Sequence, residues 1–324
     1  MADIFIPDLE ATERMHLLEY VFQAVGTHPR VGRHFSASAR EVYDSVGGAE
    51  ILGVALGRVD ASVFEAASRL RLVVKCGIGT DNIDLVAARS AGVRVVRTAG
   101  VNFRGVAEFV IGATIAHLRR FSALDQAVRT GKWDSIRAEL AGRLDSLVGR
   151  TLGLVGFGVI GSEVARLAQA HGMSVMVYDP WVDRDRLQSA GVAPARLDQV
   201  LASADVVSLH VVLNDSTRHI IDERELALMR PTALLVNTSR GPVVNEAVLI
   251  EALEEGRIAG AVLDVFESEP VPRDSRLLSV ANCLLSPHVA GCTATGYREI
   301  GQLAAELMRA FLTGEELPAQ CVVV

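Results

Sequence analysis

Three side chains in the second half of the chain have the types and setting for proton chemistry on a small acid. Arg240 stands in Asn237-Thr-Ser-Arg-Gly241, Glu269 in Asp264-Val-Phe-Glu-Ser-Glu-Pro270, and His288 in Pro287-His-Val-Ala-Gly291. Each comes just after a short apolar run, so each reads as lying at the C-terminal end of a buried strand, where open α/β sheets bind ligands. A guanidinium can grip a carboxylate through paired hydrogen bonds and polarise the adjacent carbonyl. An imidazole can take or return a hydroxyl proton, and a carboxylate beside it can orient it and raise its pKa. Singly these residues are commonplace, as surface ion-pair partners, loop acids or structural histidines. Their succession at successive strand ends is what points to acid–base chemistry.

The element that must position them is organised around Thr151-Leu-Gly-Leu-Val-Gly-Phe-Gly-Val-Ile-Gly161, with Asp179 eighteen residues past the last glycine. The stretch reads as a strand, a turn and a helix from about Ser162 to Ala170. Gly156 permits the tight turn, Gly158 lets a pyrophosphate approach the backbone, and Gly161 lets the helix close on its strand. The helix start offers unpaired N–H groups and a positive dipole end to phosphates. A glycine triplet alone is weak evidence; here a second strand, Ser174 to Tyr178, ends in an acid placed for ribose hydroxyls. Asp179 would repel a 2′-phosphate, which favours NAD over NADP, although Arg184 and Arg186 follow closely enough to serve one.

Along the rest of the chain, strands alternate with helices, the pattern of parallel β/α units. Asp3 to Pro7, Ile51 to Gly57, Leu72 to Cys76 and Val93 to Arg97 read as strands, with helices at Leu9 to Gly26, Ala61 to Arg69 and Leu85 to Ala91. A long apolar helical region from Asn102 to about Gly131 is expected to be buried against its own core or another subunit, and Ala138 to Gly149 reads as a loop. Four further strands, at Asp205 to Val212, Ala233 to Asn237, Gly260 to Val265 and Asn282 to Ser286, bring the second sheet to six. The last helix, Thr295 to Leu312, returns to the first domain. The expected organisation is α/β, with two Rossmann-like or flavodoxin-like parallel-sheet domains and a cleft between them. Residues 1–101 and 294–324 form the substrate-binding one and 102–293 the NAD-binding one, with two adjacent crossings that make a hinge.

In the first domain, Cys76-Gly-Ile-Gly-Thr-Asp-Asn-Ile-Asp84 follows a strand. Gly77 and Gly79 free its backbone to aim N–H groups at an anion; the plainer alternative is a strand-to-helix turn capped by Asp81. Lys75 could add charge for a second acidic group, or simply snorkel at the surface. His210 ends a strand near the cofactor crevice and reads as structural or cofactor-lining.

Bulk properties exclude several classes. The 324 residues suffice for two cores, half are hydrophobic, and the net charge of −7 gives no support to nucleic acid as a partner. The N-terminus lacks the basic region and apolar core of a signal peptide, and no apolar run is long enough to span a bilayer. Cys76, Cys283, Cys292 and Cys321 are widely spaced, which fits reduced thiols in a cytoplasm better than disulfides or a metal site.

Taken together, Gly-Ile-Gly-Thr-Asp-Asn-Ile-Asp84, the glycine turn with Asp179, and the three blocks carrying Arg240, Glu269 and His288 resemble the D-isomer-specific 2-hydroxyacid dehydrogenases over nearly the whole chain. The resemblance implies a homodimer built around the helices after Asn102. It makes Arg240, Glu269 and His288 the catalytic residues, puts Asp264 on the nicotinamide carboxamide, and puts the Ile78 and Gly79 backbone on the substrate carboxylate. The expected cofactor set is Gly156, Gly158, Val159, Ile160, Gly161, Asp179, Val211, Thr217, Thr238, Ser239, Arg240, Asp264, His288 and Gly291. The expected substrate set is Lys75, Ile78, Gly79, Arg240 and His288. The Thr-Asp-Asn-Ile-Asp wording and Lys75 look most like phosphoglycerate dehydrogenases, which makes 3-phosphoglycerate a candidate substrate. Glyoxylate or hydroxypyruvate reductases, phosphite dehydrogenases and NADH-sensing corepressors are the alternatives. Val212 stands where many relatives have Pro.

Overall fold

Short runs of Val, Ile and Leu become strands here because both faces of each sheet are covered, so that neither side needs polar residues. The structure is a computed structural model that describes residues 3–6, 11–31 and 39–324. It divides into two units, Met1–Asn102 with Cys292–Val324, and Phe103–Gly291.

In the first unit, β1 (Ile4–Ile6), β2 (Arg30–Val31), β3 (Ile51–Val54), β4 (Leu72–Lys75) and β5 (Arg94–Arg97) form one parallel sheet in the order β2-β1-β3-β4-β5 among the described residues. The first helix is described from Ala11 to Val25; Pro7, Leu9 and Glu10, which the sequence reading included in these first elements, lie outside the described residues. β2 was not expected, since two residues carry no periodicity. Cores lie on both faces: Leu52, Val63 and Val73 belong to one cluster, Ile51, Val74 and Met308 to the other. The helix Leu85–Ser90 is capped by Asp84, whose carboxylate accepts from the Ala87 N–H (2.8 Å), so the cap lies three residues beyond Asp81. The last helix, Ala294–Thr313, belongs to this unit, starts on the Thr293 hydroxyl and stops at Gly314 in the left-handed region.

In the second unit, β6 (Thr151–Val155), β7 (Ser174–Tyr178), β8 (Ala193–Pro194), β9 (Val206–Leu209), β10 (Leu234–Asn237), β11 (Gly260–Leu263) and β12 (Cys283–Leu285) form a parallel sheet ordered β12-β11-β10-β9-β6-β7-β8. The sheet therefore has seven strands, not six; the extra one is the two-residue β8. The chain leaves β6 toward β7 and returns to β9 on the other side, so a switch point falls between β6 and β9, at the glycine turn. Val207, Leu235 and Ala261 face one core, and Leu154, Val236 and Val262 the other.

The region after Asn102 is three helices, Phe103–Leu118, Phe121–Arg129 and Trp133–Leu140. The first break falls at Arg120, whose backbone is left-handed (φ 51°) and cannot continue a right-handed helix. Residues 138–140 finish the third helix rather than open a loop. Among the described residues no helix is long and apolar enough to cross a membrane.

Candidate active site

At the end of β6 the three glycines have three separate duties. Gly156 sits at φ 99°, and a Cβ there would come within 2.6 Å of the His210 carbonyl oxygen. At Gly161 a Cβ would run into the Gly156 carbonyl oxygen, so only glycine lets this helix start so close to its strand. Gly158 has nothing within 4 Å of where its Cβ would be. It caps the helix Val159–Ala170 without any side-chain hydrogen bond, which leaves the first-turn N–H groups to an anion. Val159 is about half exposed beside it, and Ile160 is half-buried against the core.

Asp179 ends β7 and accepts from Phe157 N–H through Oδ2 (2.7 Å) and from Trp181 N–H through Oδ1 (2.9 Å). The acid thus ties the glycine turn to the next strand, and each oxygen keeps a lone pair for a hydroxyl. The Arg186 guanidinium lies 5.8 Å from the centre of the Phe157 ring. At the end of β10, Thr238 Oγ1 is shut off from solvent and has no hydrogen-bond partner among the described residues. The bare helix start, the open Gly158 and this orphaned hydroxyl all fit a bound dinucleotide.

Arg240 is held by a turn built on Asn237, which is almost fully buried. Asn237 Oδ1 accepts from Ser239 N–H (3.0 Å) and Ser239 Oγ (2.8 Å), while its Nδ2 donates to the Arg240 carbonyl (2.9 Å). Gly241 follows because a Cβ would overlap the backbone of Phe266 and Glu267. That contact presses the Arg240 turn against the loop that carries Glu269.

Glu269 Oε2 lies 2.7 Å from His288 Nδ1, and its Oε1 accepts from Phe266 N–H (3.0 Å). Burial works to raise this carboxyl, but the His288 bond and charge, the Phe266 N–H and the nearby Arg240 outweigh it and hold Glu269 below the usual carboxylate range. A charged Glu269 only accepts, so Nδ1 carries the proton in this bond, and Nε2 is the ring nitrogen that can exchange a proton.

His288 has a left-handed backbone (φ 56°), a conformation costing on the order of 1–3 kcal/mol for a residue with a side chain. Asp264, fully buried at the end of β11, holds it there. Its carbonyl accepts from His288 N–H (2.8 Å), and its carboxylate accepts from Ser286 Oγ (2.6 Å), Val289 N–H (2.9 Å) and Ala290 N–H (2.8 Å). Gly291 ends this loop.

His210 is kept neutral: burial pushes it down to about 4, and Nε2 pairs with Ser208 Oγ at 2.9 Å. In the loop that follows, Val211 packs on the core while Thr217 Oγ1 donates to the Val212 carbonyl (2.6 Å) and accepts from Asn214 N–H (2.9 Å). The loop closes around Thr217 without a proline at Val212.

Lys75, Ile78 and Gly79 lie in the other unit. Lys75 is buried and its ammonium donates to the Ala55 carbonyl, so it does not snorkel. The Ile78 carbonyl accepts from Arg97 (3.3 Å). The Gly77 N–H donates within the turn, to Thr98 Oγ1 (2.8 Å) and the Lys75 carbonyl (3.1 Å).

Sequence reasoning passed over Asn237, Ser286 and Glu267. Asn237 and Glu267 lie in the same short blocks as Arg240 and Glu269, and Ser286 lies two residues before His288, so position was the available signal.

Residues 111–290 match the family model described as D-isomer specific 2-hydroxyacid dehydrogenase, NAD binding domain. The glyoxylate reductase of Korarchaeum cryptofilum is 43% identical over 260 residues, 80% of this chain and 78% of that protein. The D-3-phosphoglycerate dehydrogenase of Methanocaldococcus jannaschii is 36% identical over 85% of this chain but only 52% of its own length. Among solved structures, D-lactate dehydrogenase from Aquifex aeolicus complexed with NAD and lactic acid superposes with a TM-score of 0.86 at 26% identity, covering 97% of this chain and 96% of that one.

Proposed function

Because the chain belongs to the D-isomer-specific 2-hydroxyacid dehydrogenase family, we propose that Arg240, Glu269 and His288 are the residues with which this NAD-dependent enzyme interconverts a small 2-hydroxy acid and its 2-keto acid. The observation that carries the assignment is the 2.7 Å pair between His288 Nδ1 and Glu269 Oε2, with the Arg240 charge acting on the same carboxylate.

In the oxidative direction, His288 Nε2 takes the proton of the C2 hydroxyl as the C2–H bond breaks and the carbonyl forms. NAD, which the Gly156–Gly161 turn would hold, would supply the hydride acceptor, and in its reduced form the donor for the reverse reaction. In reduction His288 returns the proton to the C2 oxygen. Glu269 stabilises the imidazolium in both directions, which is worth most where water is excluded. Arg240 holds the carboxylate in a bidentate pair and polarises the oxygen on C2.

The substrate we read is a short acid with oxygen on C2, the feature common to glyoxylate, lactate and 3-phosphoglycerate in the names of the similar proteins. The same reading includes a homodimer, supported by Phe121, Val128 and Trp133, each about half exposed on the helices after Arg120. Light scattering on the purified protein tests it, and a monomer at micromolar concentration would remove it.

The functional test is NADH oxidation across glyoxylate, hydroxypyruvate, phosphohydroxypyruvate and pyruvate, with wild type beside His288→Ala. A rate on one acid that falls by about 10²–10⁴ in the variant, with NADH still bound, is the expected result. Equal turnover by both proteins would overturn the role of His288. Bound NADH with silence on every acid would favour a sensor.

A further inference from the structure

The turn that carries Arg240 and the loop that carries Glu269 are both touched by one residue, His219. Its backbone is left-handed (φ 51°). Its N–H donates to the carbonyl of Pro242, two residues past Arg240 (2.8 Å). Its Nε2 lies 2.9 Å from Glu267 Oε1, two residues before Glu269. Glu267 is held a second time by Glu246: Glu267 N–H donates to Glu246 Oε2 (3.1 Å), and Glu246 N–H donates to Glu267 Oε1 (3.4 Å). The segment then continues alongside the Arg240 turn, with Ile221 N–H on the Val243 carbonyl (3.2 Å) and Asn245 N–H on the Ile221 carbonyl (2.9 Å).

We propose that His219 and Glu267 are a positioning pair that fixes the Glu269 loop against the Arg240 turn and so sets the spacing between Arg240 and the Glu269–His288 pair. Gly241 already presses the two segments together, backbone on backbone. Van der Waals contact of that kind resists approach but not sliding; a hydrogen bond with a preferred direction does. Phe266 N–H, next to Glu267, is also the donor that Glu269 Oε1 accepts from, so movement of Glu267 passes directly to the carboxylate that orients His288. Neither His219 nor Glu267 needs to touch the substrate for this role. The pair rests on the roles proposed above for Arg240, Glu269 and His288, and extends them.

The test uses His219→Gly, Glu267→Ala, the double variant and His219→Gln. Glycine takes a left-handed backbone freely, so the first variant removes the imidazole without straining the turn. Glutamine offers an amide N–H in place of Nε2. With NADH and whichever of glyoxylate or hydroxypyruvate the wild type reduces, each loss variant is expected to lower kcat about tenfold with little change in KM or NADH affinity. The double variant should be no worse than either single, and His219→Gln should recover most of the rate. Amide hydrogen exchange should quicken over residues 265–269 in His219→Gly and stay at the wild-type rate over Thr151–Val155. Wild-type kcat in His219→Gly, losses that multiply in the double variant, or unchanged exchange over 265–269 would overturn the pair. A wild type inert on every keto acid would instead sink the proposed function, and the exchange measurement would still decide the pair.

Discussion

Asp264 holds the backbone of His288 in place: its carbonyl accepts from the His288 N–H at 2.8 Å, and its buried carboxylate accepts from the next two backbone N–H groups. The left-handed conformation of His288 is thereby secured from one side chain and one carbonyl of the neighbouring strand end. In Asp264→Asn the amide nitrogen would confront at least one of the donors. The expected result is a loss of about 1–3 kcal/mol in stability and a drop in turnover. A urea titration alongside kcat checks both, and a variant equal to wild type in each would show that the loop holds itself.

The glycine turn separates folding from cofactor binding. At Gly161 a Cβ has no room and the neighbour is backbone, whereas at Gly158 it meets open space. Gly161→Ala is expected to lower the melting temperature, and Gly158→Ala to leave it unchanged while weakening NADH binding at least tenfold, because the methyl takes the phosphate's place. Calorimetric melting with an NADH titration distinguishes the two. Equal effects on both properties would contradict the division.

The direction of the Glu269 shift sets an acid limit. Its folded pKa lies below the usual value of 4.5, so the pair with His288 contributes fully above that value and is lost as the pH falls through the folded pKa. Glu269→Gln should reduce kcat about 10²-fold near neutrality and should remove this carboxyl's part of the acid inactivation. Comparing stability and rate of the two proteins from pH 7 down to 3 checks the sign. A variant that loses stability with acid as steeply as wild type would rule it out.

His210 titrates in the opposite chemical sense but toward the same side of the pH scale. Burial lowers it from 6.5 to about 4, so the folded state binds fewer protons than the unfolded one between these values. Its neutral form is favoured fully above pH 6.5, and on the order of 3 kcal/mol is lost as the pH falls to about 4. His210→Gln, which can keep the bond to Ser208, should flatten the melting temperature over that window. A slope unchanged from wild type would assign the acid sensitivity to other groups.

The long strands and the glycine turn were readable in the sequence because parallel strands buried on both faces must be apolar throughout, and because a dinucleotide turn leaves glycines at fixed intervals. Those same constraints placed Arg240, Glu269 and His288 at strand ends. β2 and β8 were not readable, since two residues such as Arg30–Val31 or Ala193–Pro194 are recruited by a neighbouring edge rather than by their own pattern. The helical region after Asn102 broke at Arg120, where nothing in a run of good helix formers announces a left-handed residue.

By itself the sequence determined the fold class, the family and the residue types at the site, since those depend on local pattern and spacing. Only the tertiary structure decided the partners of the acids other than Glu269. Glu267 and Glu269 sit two apart on one loop with the same chemistry, yet Glu269 meets His288 and Glu267 meets His219. Asp264 likewise acquires its duty from the His288 loop, which folds against it from further along the chain. Hydrogen bonds form between groups the chain brings together from distant positions, and the sequence carries no local mark of that meeting.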